Sequence, residues 1–351
     1  MKKVQFFFFP LLLCLALPLL LRRVDPAQLW KDLSACSLGY LLAAVACILL
    51  FQVCEAVNLH RCLGLAASGC RADSAEPEND KKRTRIRSCG QAFFYALTGF
   101  FFSGITPFSS GGQPMQLYRM HRNGISTACG TAALAMELAS FQAASVLLAG
   151  IGLLFFSSFV LQASGFAASL LLLGFTANLV LLSVLLLAVF LPDILGRVLD
   201  AAARLLQRLH LPGAGHFREA AGRWAADYRG CASCLRTAPK RAVLLLLTSL
   251  LQLAALHSIP YWIALSLGVH SVSLLQITAM QAVLFLVVSL IPLPGGTGAS
   301  EGGFLLLYAP VFAGGCLESA MLLSRFASFY LPMAVSGILL LAADLPARRK
   351  K

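Results

Sequence analysis

The sequence predicts an all-α fold: a polytopic transmembrane helix bundle of about 8 spans. Three observations predict it. The chain is 58% hydrophobic and only 12% charged, where soluble domains carry about 25% charge. Its apolar runs recur at lengths near the roughly 20 residues a helix needs to cross a bilayer. Its cations are gathered between those runs, at Lys2-Lys3, Arg61 to Arg87, Arg197 to Arg241 and the tail ARRKK. Basic segments between spans face the cytoplasm under the positive-inside rule. That placement accounts for the net charge of +13 without nucleic acid, and no nucleic-acid binding is expected.

In chain order, apolar runs place spans near 5–21, 38–59, 89–106, 125–155, 166–191, 241–266, 272–291, 300–313 and 319–343. The first follows Lys2 and Lys3 and runs into Arg22-Arg23 with no small-x-small cleavage pattern, so it reads as a retained signal anchor. Residues 1–351 form a single membrane domain, with basic cytoplasmic loops at 60–88 and 192–240. The polar stretch 68–88 is too poor in apolar residues to fold alone. Within the second loop, Leu195, Val198, Leu199, Ala202, Leu205, Leu206 and Leu209 share a helical stripe, with Arg197, Arg204 and Arg208 off it. Such a helix lies on an inner leaflet or packs on the bundle.

Cytoplasmic termini make two stretches anomalous. "TPFSSGGQP" must return the chain across the membrane after an outward span. "IPLPGGTGASE" must do so after an inward one. Both are too polar for ordinary spans. Irregular backbone at membrane depth survives only where protein or a water-filled cavity surrounds it. Two broken, re-entrant Pro-Gly-Gly segments entered from opposite sides are the pattern of an inverted repeat, here 89–191 and 241–343.

Helix starts after Gly112 and Gly296 would aim backbone N–H groups and a positive dipole end into the bundle, an arrangement that favours phosphate. Ser109, Ser110, Thr297 and Ser300 offer hydroxyls, and Arg119 and Arg122 close the first broken segment. Glu137 and Arg325 lie mid-span. A charge there costs about 2.5–3.5 kcal/mol on insertion scales, so each should face a partner or cavity. Arg325 pairs with Glu301 or with Glu137; spacing does not choose. Glu137 shares a helix face with Gly130, Ala133, Ser140 and Ala144, small residues suited to close packing. Glu55 and Asn58 are expected near the inner end of the second span, at the interface.

Of the eleven cysteines, those in apolar runs behave as small hydrophobes. Cys231-Ala-Ser-Cys234 is a lone pair without a second for zinc. The six histidines show no ligand spacing. No metal, cofactor or catalytic residue is expected.

"TPFSSGGQPMQLYRM", "IPLPGGTGASEGGFLLLY" and "LLSRFASFYLP" resemble signatures of the lysylphosphatidylglycerol synthase transmembrane-domain family, a flippase-like module. The resemblance covers roughly residues 5–343. It implies a bacterial inner-membrane protein that binds or translocates anionic or aminoacylated phospholipid, a function tied to resistance against cationic antimicrobial peptides. By motif it points to Pro107, Gly111, Gly112, Pro114, Pro294, Gly295, Gly296, Glu301 and Arg325. Leu138 follows Glu137 where many relatives carry arginine. The family's aminoacyl transfer belongs to a soluble domain, so the chain is expected to be the stand-alone form, acting alone or beside a partner synthase. A membrane-embedded transferase is the competing class, but the sequence shows no D-x-D, nucleophile–base or Walker pattern.

Overall fold

The computed structural model describes residues 26–73, 89–163, 168–209, 214–312 and 315–348. The expected span at 5–21 and the polar stretch 74–88 lie outside the described residues. Among the described residues every regular element is helical. That follows from composition: in hydrocarbon a chain must satisfy its own backbone donors and acceptors, and a helix does so within one segment.

A short helix α1 (Pro26–Ala35) precedes α2 (Leu38–Asp73). Next come α3 (Cys89–Ile105), a tight turn at Pro107–Ser109, and α4 (Gly112–Arg122). Two long helices follow, α5 (Thr127–Ala163) and α6 (Ala168–Phe190), then the pair α7 (Pro192–Arg208) and α8 (Ala214–Arg236). The chain continues through α9 (Pro239–Ser266), α10 (Leu274–Val288), a second tight turn at Pro294–Gly296, and α11 (Ala299–Tyr308). The last rod is α12 (Leu317–Arg325), a π-helical turn at Phe326–Tyr330, and α13 (Leu331–Arg348).

Five stretches are long and apolar enough to cross a membrane: 38–69, 127–158, 169–190, 239–266 and 317–343. α3 and α10 are shorter apolar helices. The architecture is therefore an all-α bundle of the polytopic membrane class. The boundaries agree with the apolar runs within a few residues, except for α5, which runs to Ala163 where 155 was expected, and α2. The latter runs 14 residues past the expected end at 59, to Asp73. Glu55 and Asn58, expected at the interface, and Arg61, expected in the cytoplasmic loop, turn instead toward α9. Asn58 is fully buried and donates to Ser249 Oγ at 3.0 Å, and Arg61 donates to Thr248 Oγ1 at 2.7 Å.

The segment between α6 and α9 is built into the bundle. On α8, Tyr228, Cys231, Ala232 and Leu235 are buried among Leu59, Leu63 and Met136 of α2 and α5. α2 and α8 cross so closely that a Cβ on Gly69 would lie 2.1 Å from the Gly230 carbonyl oxygen. Tyr228 donates to Ala188 O at 3.0 Å and stacks on Trp224. Of the α7 stripe, Val198, Leu205 and Leu209 remain exposed and Leu195 packs on the core, while Ala203, off the stripe, is buried. A second core joins Ala44 and Ile48 of α2 to Ile259, Met280, Tyr308 and Ala320. α2, α5 and α9 run through the middle and contribute to both cores.

Candidate functional site

The two proline turns share one backbone solution. Thr106 and Leu293 are extended, at φ −115°, ψ 145° and φ −106°, ψ 138°. Each precedes a proline whose fixed φ starts the turn. The next two residues are left-handed in both: Phe108 and Ser109 at φ 53° and 55°, Gly295 and Gly296 at φ 59° and 63°. Ser109 N–H donates to Thr106 O and Gly296 N–H to Leu293 O; Ser110 N–H donates to Pro107 O and Thr297 N–H to Pro294 O, all between 3.0 and 3.2 Å. The Ser110 and Thr297 hydroxyls also donate to those proline carbonyls, at 2.8 and 2.9 Å. Helices then begin at equivalent places, Gly112 and Ala299.

The correspondence therefore runs proline to proline. Gly295-Gly296 matches Phe108-Ser109, not Gly111-Gly112, so reading the two Gly-Gly pairs as equivalent was an error of register. The pairs do different work. Gly295 and Gly296 supply left-handed backbone, which glycine adopts without strain. Gly111 and Gly112 let α4 fold back on α3. A Cβ on Gly112 would meet Ser103 Oγ at 2.1 Å and Gly99 O at 2.8 Å, and one on Gly111 would meet Thr106 at 2.6 Å. Thr106, which sequence reading passed over, ties this corner: its Oγ1 accepts from Gly111 N–H at 2.8 Å and donates to Phe102 O at 2.7 Å. Farther along α4, Gln116 donates to Tyr95 O and Arg119 donates to Thr98 Oγ1 at 3.0 Å. Pro114 is exposed on its first turn.

The turns touch each other, and the second also touches α3. Beside them lies a buried ion pair. Arg325 Nε donates to Glu301 Oε1 at 2.7 Å, and an Nη2 hydrogen goes to Gly295 O at 3.0 Å. The side chains are 12% and 2% exposed. The guanidinium stands 4.5 Å from the Phe329 ring centroid and 5.8 Å from that of Tyr330, within cation–π range. Glu301 Oε2 also accepts from Gly298 N–H, the reciprocal half of a capping box. The start of α11 is thus already met by a carboxylate, and it falls at Ala299 rather than directly after Gly296. Phe329 links everything: it lies against Gly104 of α3, stands over Arg325, and would be struck at 2.2 Å by a Cβ on Gly295. No motif marks Phe329 in the sequence; it follows Arg325 by four residues, which places both on one face of the rod.

Of the predicted residues, the structure gathers Pro107, Ser109, Pro294, Gly295, Gly296, Glu301 and Arg325 around the touching turns. Ser110 and Thr297 close those turns, and Gly111, Gly112 and Arg119 serve the α3–α4 packing. Glu137 is elsewhere. It is buried on α5 within hydrogen-bond reach of Glu55 on α2, which resolves the open choice of partner for Arg325 in favour of Glu301. Among the described residues no group of three or more His, Cys, Asp or Glu is placed to hold a metal.

Long apolar helices, two proline turns packed together and a buried Arg–Glu pair define a polytopic all-α membrane protein with an internal polar centre. Residues 6–336 match the lysylphosphatidylglycerol synthase TM region family. The match covers nearly the whole chain, which belongs to that family. A comparison with curated proteins gave no match.

Proposed function

We propose that the protein moves phosphate-bearing phospholipid headgroups, aminoacylated phosphatidylglycerol among them, across a bacterial inner membrane. One observation carries the reading: two turns of the same backbone form meet beside a buried, charge-compensated arginine. In this reading residues 89–191 and 241–343 are inverted repeats, the two turns head re-entrant segments entered from opposite faces, and both termini are cytoplasmic. The Arg325 guanidinium has five N–H donors. Two are held by Glu301 and Gly295, and the rest meet the lipid phosphate at the junction. Glu301 then offsets the guanidinium charge whenever the headgroup has left, so the site never holds an uncompensated cation in low dielectric. The gap between the turns widens and narrows as the repeats rock. A separate synthase supplies the aminoacylated lipid.

The test is reconstitution in liposomes carrying headgroup-labelled phosphatidylglycerol, with leaflet exposure followed over time. Protein-dependent movement that disappears in Arg325→Met but survives in Arg119→Lys supports the reading. Equal movement in protein-free liposomes, or full movement in a folded Arg325→Met variant, refutes it.

A further inference from the structure

A second polar centre lies apart from the proline turns, where α2, α5 and α9 meet. α2 and α9 run antiparallel, with a register fixed by Cys47 on Ser258, Gln252 on Glu55, Asn58 on Ser249 and Arg61 on Thr248. α5 closes the seam through Ser140, whose hydroxyl lies 2.9 Å from that of Ser249. At the centre, Glu137 of α5 and Glu55 of α2 are in mutual hydrogen-bond reach. Gln252 donates to Glu55 Oε2 at 2.6 Å. Glu137 is buried, while Glu55 keeps part of its side chain accessible.

A carboxylate oxygen only accepts hydrogen bonds. Two carboxyl groups therefore bond each other only when one carries a proton. The helices carry two acids to one point, and among the described residues no ion pair joins either acid to a cation. Arg61, further along α2, donates one of its N–H groups to Thr248. Other titratable groups of the surrounding core are Cys54 and Cys62 on α2, Tyr95 on α3, Cys129 on α5, Tyr228 and Cys231 on α8, and His257 on α9.

The seam is also unusually polar in both directions from the pair. Gln52 lies one turn from Glu55, and both polar atoms of its buried amide lack a partner. The same is true of Gln252 Oε1, Asn58 Oδ1, Ser145 Oγ and both ring nitrogens of the fully buried His257. Native interiors bury few such atoms, and each calls for an explanation. They lie on α2, α5 and α9, the three helices that form the seam.

We propose that Glu55 and Glu137 bind a shared proton, and that binding and release of this proton drive the conformational cycle of the bundle. In the bound state one carboxyl O–H donates to the other's carboxylate. Release sends the proton outward through Glu55 and leaves two anions that cannot stay in contact, which pushes α2 and α5 apart at this level. The drive, though not the proton site itself, rests on the lipid-transport reading above.

The experiment has two arms on the full-length protein in vesicles of phosphatidylglycerol and phosphatidylethanolamine. Infrared difference spectra across a pH titration report the protonated carboxyl stretch and its shift in deuterium oxide. Labelled-lipid movement is followed with and without an imposed pH gradient. The wild type should show a titrating carboxyl band, lost in Glu55→Gln and in Glu137→Gln, and a several-fold acceleration of lipid movement by the gradient that both variants lack. Gln252→Leu, which leaves both acids in place, should shift the titration without abolishing the band. An absent band, or a band unchanged in both glutamine variants, overturns the proton site. Lipid movement that ignores the gradient while the band titrates overturns the drive and leaves transport standing. A titrating band with no lipid movement overturns the transport reading and leaves the proton site standing.

Discussion

Replacing Arg325 with methionine removes the only cation touching Glu301 in the described structure and leaves the aliphatic stem. Glu301 is 2% exposed and still caps Gly298 N–H, so its charge would stay in place without compensation. Breaking a buried pair from one side costs about 3–5 kcal/mol. The reverse change, Glu301→Gln, should be milder, at about 1–3 kcal/mol. A glutamine oxygen can keep the Gly298 cap, and Arg325 retains the Gly295 carbonyl, the Phe329 face and its 12% exposure. The double variant should then recover part of the loss, with a coupling of about 2 kcal/mol, inside the range measured for contacting residues. Detergent-solubilised protein, unfolded reversibly with denaturant and followed by circular dichroism, gives the four corners of the cycle. Additive single effects, or Glu301→Gln costing more than Arg325→Met, would refute the reasoning that Glu301, the more deeply buried partner, is the charge left uncompensated when the pair is broken.

Gly295→Ala should destabilise strongly, because φ is 59° and the new Cβ would fall 2.2 Å from Phe329. Gly298→Ala, at φ 87°, ψ −51° with its nearest contact at 4.0 Å, should cost only the backbone strain, about 1–3 kcal/mol for so sparsely populated a conformation. Thermal unfolding ranks the two. Ser109→Gly should stabilise or be neutral, by up to about 1 kcal/mol, since it relieves a left-handed serine at φ 55° in the position that glycine already holds in the second turn; the unfolding midpoint should not fall. Burial raises the Tyr228 phenol to about 12. The unfolded phenol releases its proton near 10, so the stability Tyr228 provides is intact below pH 10 and is lost as pH climbs from there to about 12. Tyr228→Phe should lose about 1 kcal/mol with the Ala188 hydrogen bond but show a flatter alkaline decline. The exposed Arg229–Asp193 pair, at 2.8 Å and 58% and 54% exposure, should give less than about 1 kcal/mol in a double-mutant cycle and fade with salt.

The spans were readable because apolar length is a one-dimensional signal; α6 and α9 start and stop where the hydrophobic runs do. α2 was misjudged because Glu55, Asn58 and Arg61 look like an exit from the membrane. Polarity along a chain does not say whether a side chain meets water or another helix, and these meet Gln252, Ser249 and Thr248. The prolines marked both turns, yet the glycines misled. Gly111-Gly112 and Gly295-Gly296 spell the same letters, one chosen for missing volume and the other for a backbone angle. Only dihedral angles separate those two uses. The choice of Glu301 for Arg325 depended on a 24-residue separation across a loop, which no helical period encodes.

The π turn at Phe326–Tyr330 holds one residue more per turn than its surroundings. Such a bulge is rare and is found mostly at working sites. Were it to tighten by that one residue, α13 would rotate by roughly 100° against α12 while the rod kept its length to within a step. Phe329 would shift against Gly295 while staying, four residues on, beside Arg325, and Met333 would leave Gly104. One wide turn of backbone thus sets where the last rod meets α3 at Gly104 and the second proline turn at Gly295.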